Sequence, residues 1–306
     1  MSKNNTLFVG ALAKGLRVLR AFDESHTDLS LTDLVARTGL DKSAVQRLAN
    51  TLHLEGLLVK DSETRRFRPS HAWLELAYAY YWSDPMVSLA LPKLIELSRQ
   101  LGETINLAEL SGDHIIYVNR LPCNRTAFAA TIPGRRVPAL STAAGRAILA
   151  THGPDARALA IATWPIAVQT PRAITDRNQI ARLLDEAAAQ GYAISRDQMI
   201  LDEIAISAPI TGPSGRATAV QCSVSAHSWT DDTIRRDLLP AIQDTANSIS
   251  PGAAGGPRQP RRNARIPWPD ATIRPAFHRG PALDGALDMP ASVPEATCRA
   301  HTARNT

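Results

Sequence analysis

The sequence predicts an α/β (α+β) chain in four parts. These are a small helical unit with a hairpin over residues 7–70, a linking helix over 71–83, a larger mixed domain over 84–250, and a coreless tail over 251–306. Three observations predict it. Short amphipathic helical patterns are followed by a hairpin pattern before residue 70. Residues 84–250 alternate strand-like and helix-like patterns. At Ser250 the composition breaks: Pro251-Gly-Ala-Ala-Gly-Gly-Pro257 opens a segment that holds 9 of the 21 prolines, and such a segment cannot bury a core and is expected to be disordered. A chain of 306 residues suits two ordinary domains.

Composition narrows the function classes. No apolar run is long enough for a membrane span, and Met-Ser-Lys-Asn-Asn lacks the layout of a signal peptide, so the expected location is the cytoplasm, with no membrane partner. Cys123, Cys222 and Cys298 are far apart and make neither a metal-ligand pattern nor a disulfide framework; no metal or cofactor is expected. The net charge of +5 is unevenly spread. Residues 1–83 carry 11 Lys/Arg against 9 Asp/Glu, residues 84–250 carry 15 against 16, and residues 251–306 carry 8 against 4. The tail therefore inflates the pI, and an argument for a nucleic-acid partner must rest on local patterning. The tail itself is read either as a source of non-specific phosphate affinity or as an extension without a folded role.

The first helix is expected from about Leu7 to Phe22, with Leu12, Leu16 and Leu19 on one face. Ser30, three residues before Asp33, is a capping-box signal, and Leu31, Leu34 and Val35 form the stripe of a second short helix. Gly39 suits a left-handed C-terminal cap, and Asp41 caps a third helix on which Val45, Leu48 and Leu52 face inward. Lys42, Ser43, Gln46, Arg47 and Asn50 then lie on or beside the outward face. This is a helix, a tight glycine-containing turn and a second helix. The second carries short polar and basic side chains near its N-terminus, as a helix that reads the major groove requires. Gln can pair with adenine, and Arg with guanine or phosphate. Gly56–Val59 reads as a strand, Asp61–Thr64 as a turn and Arg65–Arg68 as a returning strand. In such a wing Arg65, Arg66 and Arg68 can reach phosphates. A merely solvated polar face is the competing reading of the same residues.

Chemistry of other kinds is hard to find. There is no G-x-S-x-G elbow, P-loop, G-x-G-x-x-G after a strand, or H-E-x-x-H. His114, His152 and His227 are scattered. Ser141 near His152 reads as a helix cap and a surface histidine, and Cys222 as strand packing. An enzyme is therefore not expected, and a ligand sensor that does not bind DNA is the other alternative.

Several segments resemble the IclR family of transcription regulators. Ala13–Phe22 is similar to that family's opening helix, and Leu31–Leu48 to its helix-turn-helix. Gly102–Leu107, Ile115–Arg120, Pro138–Ala147, Gly191–Ala193, Ile206–Ile210 and Cys222–Ser225 resemble successive parts of its effector domain, in order, so that the likeness spans about residues 7–250. The resemblance implies a winged helix-turn-helix, a linker helix over roughly His71–Trp82 whose aromatic run packs between subunits, and a GAF-like effector-binding domain. It implies a homodimer or homotetramer that reads a palindromic operator in double-stranded DNA and responds to a small-molecule effector. Carried over position by position, it places the effector pocket at Val137, Ala143, Ala144, Asp197, Ala205, Ser223 and Ser225. Ala143 and Ala144 begin a helix whose unsatisfied N–H groups favour an anion. Ser223 and Ser225, two apart on a strand, present both hydroxyls to one face. The expected effector is a small organic acid, possibly aromatic. Where the chain departs from the family pattern, at Ser195-Arg196-Asp197-Gln198, Arg196 is an alternative partner for a ligand carboxylate.

Overall fold

The computed structural model describes residues 7–123, 133–211 and 217–249, so the expectation for the tail lies outside the described residues. Helix α1 (Gly10–Leu19) is shorter than its apolar pattern, because Val9 offers no side-chain cap. It turns Val18 into the core and packs its Gly15 toward Leu48, leaving Leu12 and Leu16 exposed. In α2 (Leu31–Thr38) the capping box forms in full. Asp33 N donates to Ser30 Oγ at 3.2 Å and Ser30 N to Asp33 Oδ2 at 2.9 Å, which satisfies two otherwise orphaned amides. Gly39 ends α2 in the left-handed region, with φ 64°. Two residues later Asp41 accepts from Ala44 N at 2.7 Å and starts α3 (Lys42–Leu54). Val18, Leu34, Val45 and Ala49 close the core of this unit, together with Leu58 and Phe67 from a two-stranded hairpin, β1 (Leu58–Lys60) and β2 (Phe67–Pro69). Both strands start later than their sequence patterns suggest, because Gly56 (φ 77°) and Arg65 (φ 58°) are used in turns. Asp61 holds the tip by accepting from the Glu63 and Thr64 amides.

Helix α4 (Ala72–Ser83) has no buried residue. Trp73 Nε1 ties its first turn to the Leu57 carbonyl at 2.9 Å, and Tyr81 Oη ties its last to the Val118 carbonyl at 2.5 Å. Asp84 then caps α5 (Pro85–Leu101), which Gly102 ends.

The rest is a six-stranded antiparallel sheet in the order β5-β4-β3-β8-β7-β6. Its strands are β3 (Thr104–Ser111), β4 (His114–Leu121), β5 (Arg136–Pro138), β6 (Ala193–Arg196), β7 (Glu203–Ile210) and β8 (Thr218–Ser225). Three further helices, α6 (Ala143–Ala150), α7 (Pro154–Thr163) and α8 (Arg177–Gln190), fall between β5 and β6. After β8 a single turn, α9 (Asp231–Thr233), passes through a π turn (Ile234–Leu238) into α10 (Leu239–Ile249).

Alternation splits the sheet into two faces. On one, Ile105, Leu107, Ile206, Val220 and Cys222 pack against Leu94 and Leu97 of α5 and Ile242 and Ala246 of α10. On the other, Ala108, Ile115, Tyr117, Val137 and Ala219 meet Ala144 and Ile148 of α6. Helix α8 backs α6 through Leu184 and Ala187. Close approach at the start of α6 depends on Gly145, where a Cβ would fall inside the Ala139 carbonyl group. Replacement Gly145→Ala is therefore expected to lower unfolding stability by about 2–3 kcal/mol, as overpacking does, read from urea denaturation followed by circular dichroism.

Candidate nucleic-acid interface and effector pocket

On α3 the residues expected to read DNA form one exposed strip: Lys42, Ser43, Gln46, Arg47 and Asn50, opposite the buried Val45 and Ala49. Ser43 Oγ donates to Asp41 at 2.8 Å and so belongs partly to the helix cap. In the hairpin Arg65 and Arg68 are exposed. Arg66 differs from the sequence expectation. Its Nε donates to Asp28 Oδ1 at 2.7 Å, and its Nη2 to the Asp28 carbonyl at 2.8 Å and to Asp33 Oδ2 at 3.1 Å. The guanidinium thus ties the wing to the first turn of α2, occupied within the chain instead of facing phosphate.

Of the expected pocket residues, Val137 and Ala144 lie against the sheet face that carries Ala108, Tyr117 and Ala219. Val137, Ala143 and Ala144 are buried beneath the sheet, and the N-terminus of α6 is already capped, with Gly145 N donating to Thr142 Oγ1 at 3.0 Å. Asp197 lies in the turn after β6 at φ 56°. Its carboxylate accepts from Arg172 Nη1 and from Asp202 N, both at 2.7 Å, and these two bonds hold its carboxyl below the usual carboxylate range. Its role here is to fix the turn. The alternative, Arg196, pairs with Asp231 at 2.6 Å. Ala205, Ser223 and Ser225 do come together: Ala205 pairs Ser223 and Glu203 pairs Ser225 across β7 and β8.

Around those three the sheet gathers polar groups that the sequence reading missed. Register places Ser207, Gln221, Asn106 and Arg120 side by side across β7, β8, β3 and β4. Gln221 Nε2 donates to Ser223 Oγ at 3.2 Å and to Tyr117 Oη at 3.3 Å. The Arg120 guanidinium lies 6.0 Å from the centre of the Tyr117 ring. Asn106 is wholly buried, yet among the described residues both atoms of its amide lack a partner, as does Arg120 Nε. Burial pushes the Tyr117 hydroxyl and the Glu203 carboxyl up and the Arg120 guanidinium down. Unpaired buried polar atoms are rare in folded proteins. Here a cation, a donor and an acceptor converge on one face of the sheet. The trace of this in the sequence is the polar residue at every second position of Thr104-Ile-Asn106 and of Gln221-Cys-Ser223-Val-Ser225.

Two family models match this architecture. The IclR helix-turn-helix domain matches residues 11–62, and the bacterial transcriptional regulator IclR C-terminal domain matches residues 79–251. The chain belongs to the IclR family. Its fold is that family's N-terminal helix-turn-helix with a small wing sheet and a C-terminal α/β, GAF-like effector domain. Among relatives, the Pca regulon regulatory protein of Pseudomonas putida is 30% identical over 221 residues, covering 72% of this chain and 75% of the relative. A Rhodococcus sp. RHA1 protein of known crystal structure is 30% identical with a TM-score of 0.68, over 79% of this chain and 97% of that one. An IclR homologue from Microbacterium hydrocarbonoxydans, crystallised with 4-hydroxybenzoate, shares the fold at 22% identity and a TM-score of 0.64, over 78% and 97% of the two chains. An IclR protein is a DNA-binding transcription regulator with an effector-binding domain, not an enzyme. Accordingly, Ser141 and His152 are engaged separately: Ser141 Oγ accepts from Ala167 N, and His152 Nδ1 lies 3.1 Å from the Ile148 carbonyl. No described helix is long and apolar enough to cross a membrane.

Glu203 gives a pH prediction. Its folded-state affinity for a proton is raised by burial, so between the unfolded value of about 4.3 and the folded one the native state holds more protons than the unfolded state. Stability therefore falls as pH rises through that window. Glu203→Gln is expected to raise the Tm at pH 8, with the gain shrinking to nothing near pH 4, in paired thermal melts across that range.

Proposed function

We propose that this IclR regulator binds a palindromic operator as a homodimer or a pair of dimers, and that a small organic acid in the sheet pocket modulates that binding. In this reading residues 7–70 bind DNA, 71–83 link and 84–250 sense. The observation that carries the ligand class is the Arg120 guanidinium beside the unpaired Asn106 amide. A carboxylate satisfies such a cation by charge-assisted hydrogen bonds, and the amide supplies one donor and one acceptor for the rest of the molecule. The Tyr117 ring and hydroxyl favour an aromatic acid that carries a second polar group. The 4-hydroxybenzoate bound by the Microbacterium homologue has that chemistry and is the probe of choice.

Self-association is supported by apolar surface. Leu74, Leu76, Tyr78 and Trp82 on α4 are each more than half exposed, and contiguous apolar surface of this kind marks an interface. A two-fold dimer places two copies of α3 on half-sites one helical turn, or a multiple of it, apart. Lys42, Gln46, Arg47 and Asn50 are then the residues that face base edges, with Arg65 and Arg68 facing phosphates.

Two measurements test this reading. In titration calorimetry, 4-hydroxybenzoate is expected to bind the wild-type protein, and Arg120→Gln to weaken it by at least about tenfold; equal binding of the methyl ester would refute the anion reading. In fluorescence anisotropy on the DNA upstream of the gene, Arg47→Ala is expected to weaken binding roughly tenfold, with Tm and ligand affinity unchanged. Unchanged DNA affinity would remove α3 as the recognition helix.

A further inference from the structure

A cleft of about 220 Å³ runs along the outer edge of β6, between α8 and the turn formed by α9 and the π segment. It is separate from the sheet pocket, and its argument does not rest on that pocket's reading. At its floor is Arg146 of α6, a fully buried arginine. Its Nη1 donates to Gln198 Oε1 and its Nη2 to the Ile194 carbonyl, each at 3.0 Å, and its Nε has no partner among the described residues. Both acceptors are neutral, and among the described residues no carboxylate lies within ion-pair distance. Burial lowers its pKa to about 10, which leaves the group charged at neutral pH. A buried charge held only by neutral dipoles is costly, and proteins ordinarily place a counter-charge beside one.

The cleft wall adds further positive charge. Arg196 is matched by Asp231 at 2.6 Å. Arg235 is exposed on the wall without an ion-pair partner among the described residues. It is placed there by the five-residue π turn Ile234–Leu238, an irregularity that recurs at functional sites. Glu186 is the acid left at the rim.

We propose that this cleft is a binding site for a small oxyanion, a carboxylate or a phosphate, which sits over the Arg146 guanidinium and is gripped from the side by Arg235. The missing counter-charge of Arg146 is then supplied by the ligand.

The test is a thermal-shift measurement on the full chain carrying Arg120→Gln, so that any anion response of the sheet pocket is weakened, and the Gln198 and Arg235 variants below assign what remains to the cleft. Sodium phosphate and sodium succinate are compared with sodium chloride at matched ionic strength. At least one of the two is expected to raise the Tm by roughly 4 °C over chloride; a response to phosphate alone assigns a phosphate ligand, and one to succinate alone a carboxylate. Gln198→Glu places a carboxylate on Arg146 from within the chain. It is expected to raise the ligand-free Tm by roughly 3 °C and to abolish the anion response. Arg235→Gln is expected to leave the ligand-free Tm unchanged and to reduce the response. If neither anion exceeds chloride, or if the response survives intact in both variants, the cleft is not an anion site and Arg146 is a structural arginine.

Discussion

Strand β8 lies between β3 and β7, and its strict alternation divides the effector domain in two. Val220, Cys222 and Val224 enter the apolar layer under α5 and α10, while Gln221, Ser223 and Ser225 point to the other face. A shift of one residue in register would send the polar set into the core and the apolar set into the pocket. The pairing is therefore strongly specified, and it carries its neighbours along: Gln221 brings Asn106 and Ser207 into line, and Asn106 brings Arg120. The polar row is a by-product of a register that the hydrophobic core enforces.

What was legible in the sequence was local. Ser30 with Asp33, Gly39 and Asp41 are capping signals that act within one helical turn, and all of them operate in the structure. The exposed strip on α3 follows from helical periodicity alone. The polar row on the sheet was illegible because its members stand far apart in the chain, and no spacing relates Asn106 to Gln221. Asp197 is a different case. It stands beside a strand of the right kind, but its short side chain in the left-handed region bonds the turn that contains it, and Arg172, 25 residues earlier, completes its shell.

Arg66 shows how far a local charge pattern can be trusted. Three arginines near a hairpin tip look alike in the sequence. In the structure the middle one is drawn across to Asp28 and Asp33, because Asp33 is already fixed by its capping bond to Ser30 and presents a preorganised oxygen. The same carboxylate thus closes the cap of α2 and anchors the wing. The wing arginines are therefore unequal: Arg66 ties the hairpin to the helix pair, and Arg65 and Arg68 stay exposed.

Strand β4 joins the polar face of the sheet to the segment that leads to the helix-turn-helix unit. Tyr117 and Arg120 join the polar row from it, while the intervening Val118 offers its carbonyl to Tyr81 of α4. The register of β4 against β3 breaks at this point, between Leu107 and Ala108. A bulge of this kind leaves a residue outside the regular ladder, so its carbonyl is available to a side chain from another element. Helix α4 buries none of its residues fully: Tyr80 and Tyr81 pack half-buried against the apolar layer of the domain, and the bond from Tyr81 to the Val118 carbonyl adds a polar tie. Contacts of that kind can be exchanged at modest cost, as an element requires if a ligand is to shift its population between two arrangements.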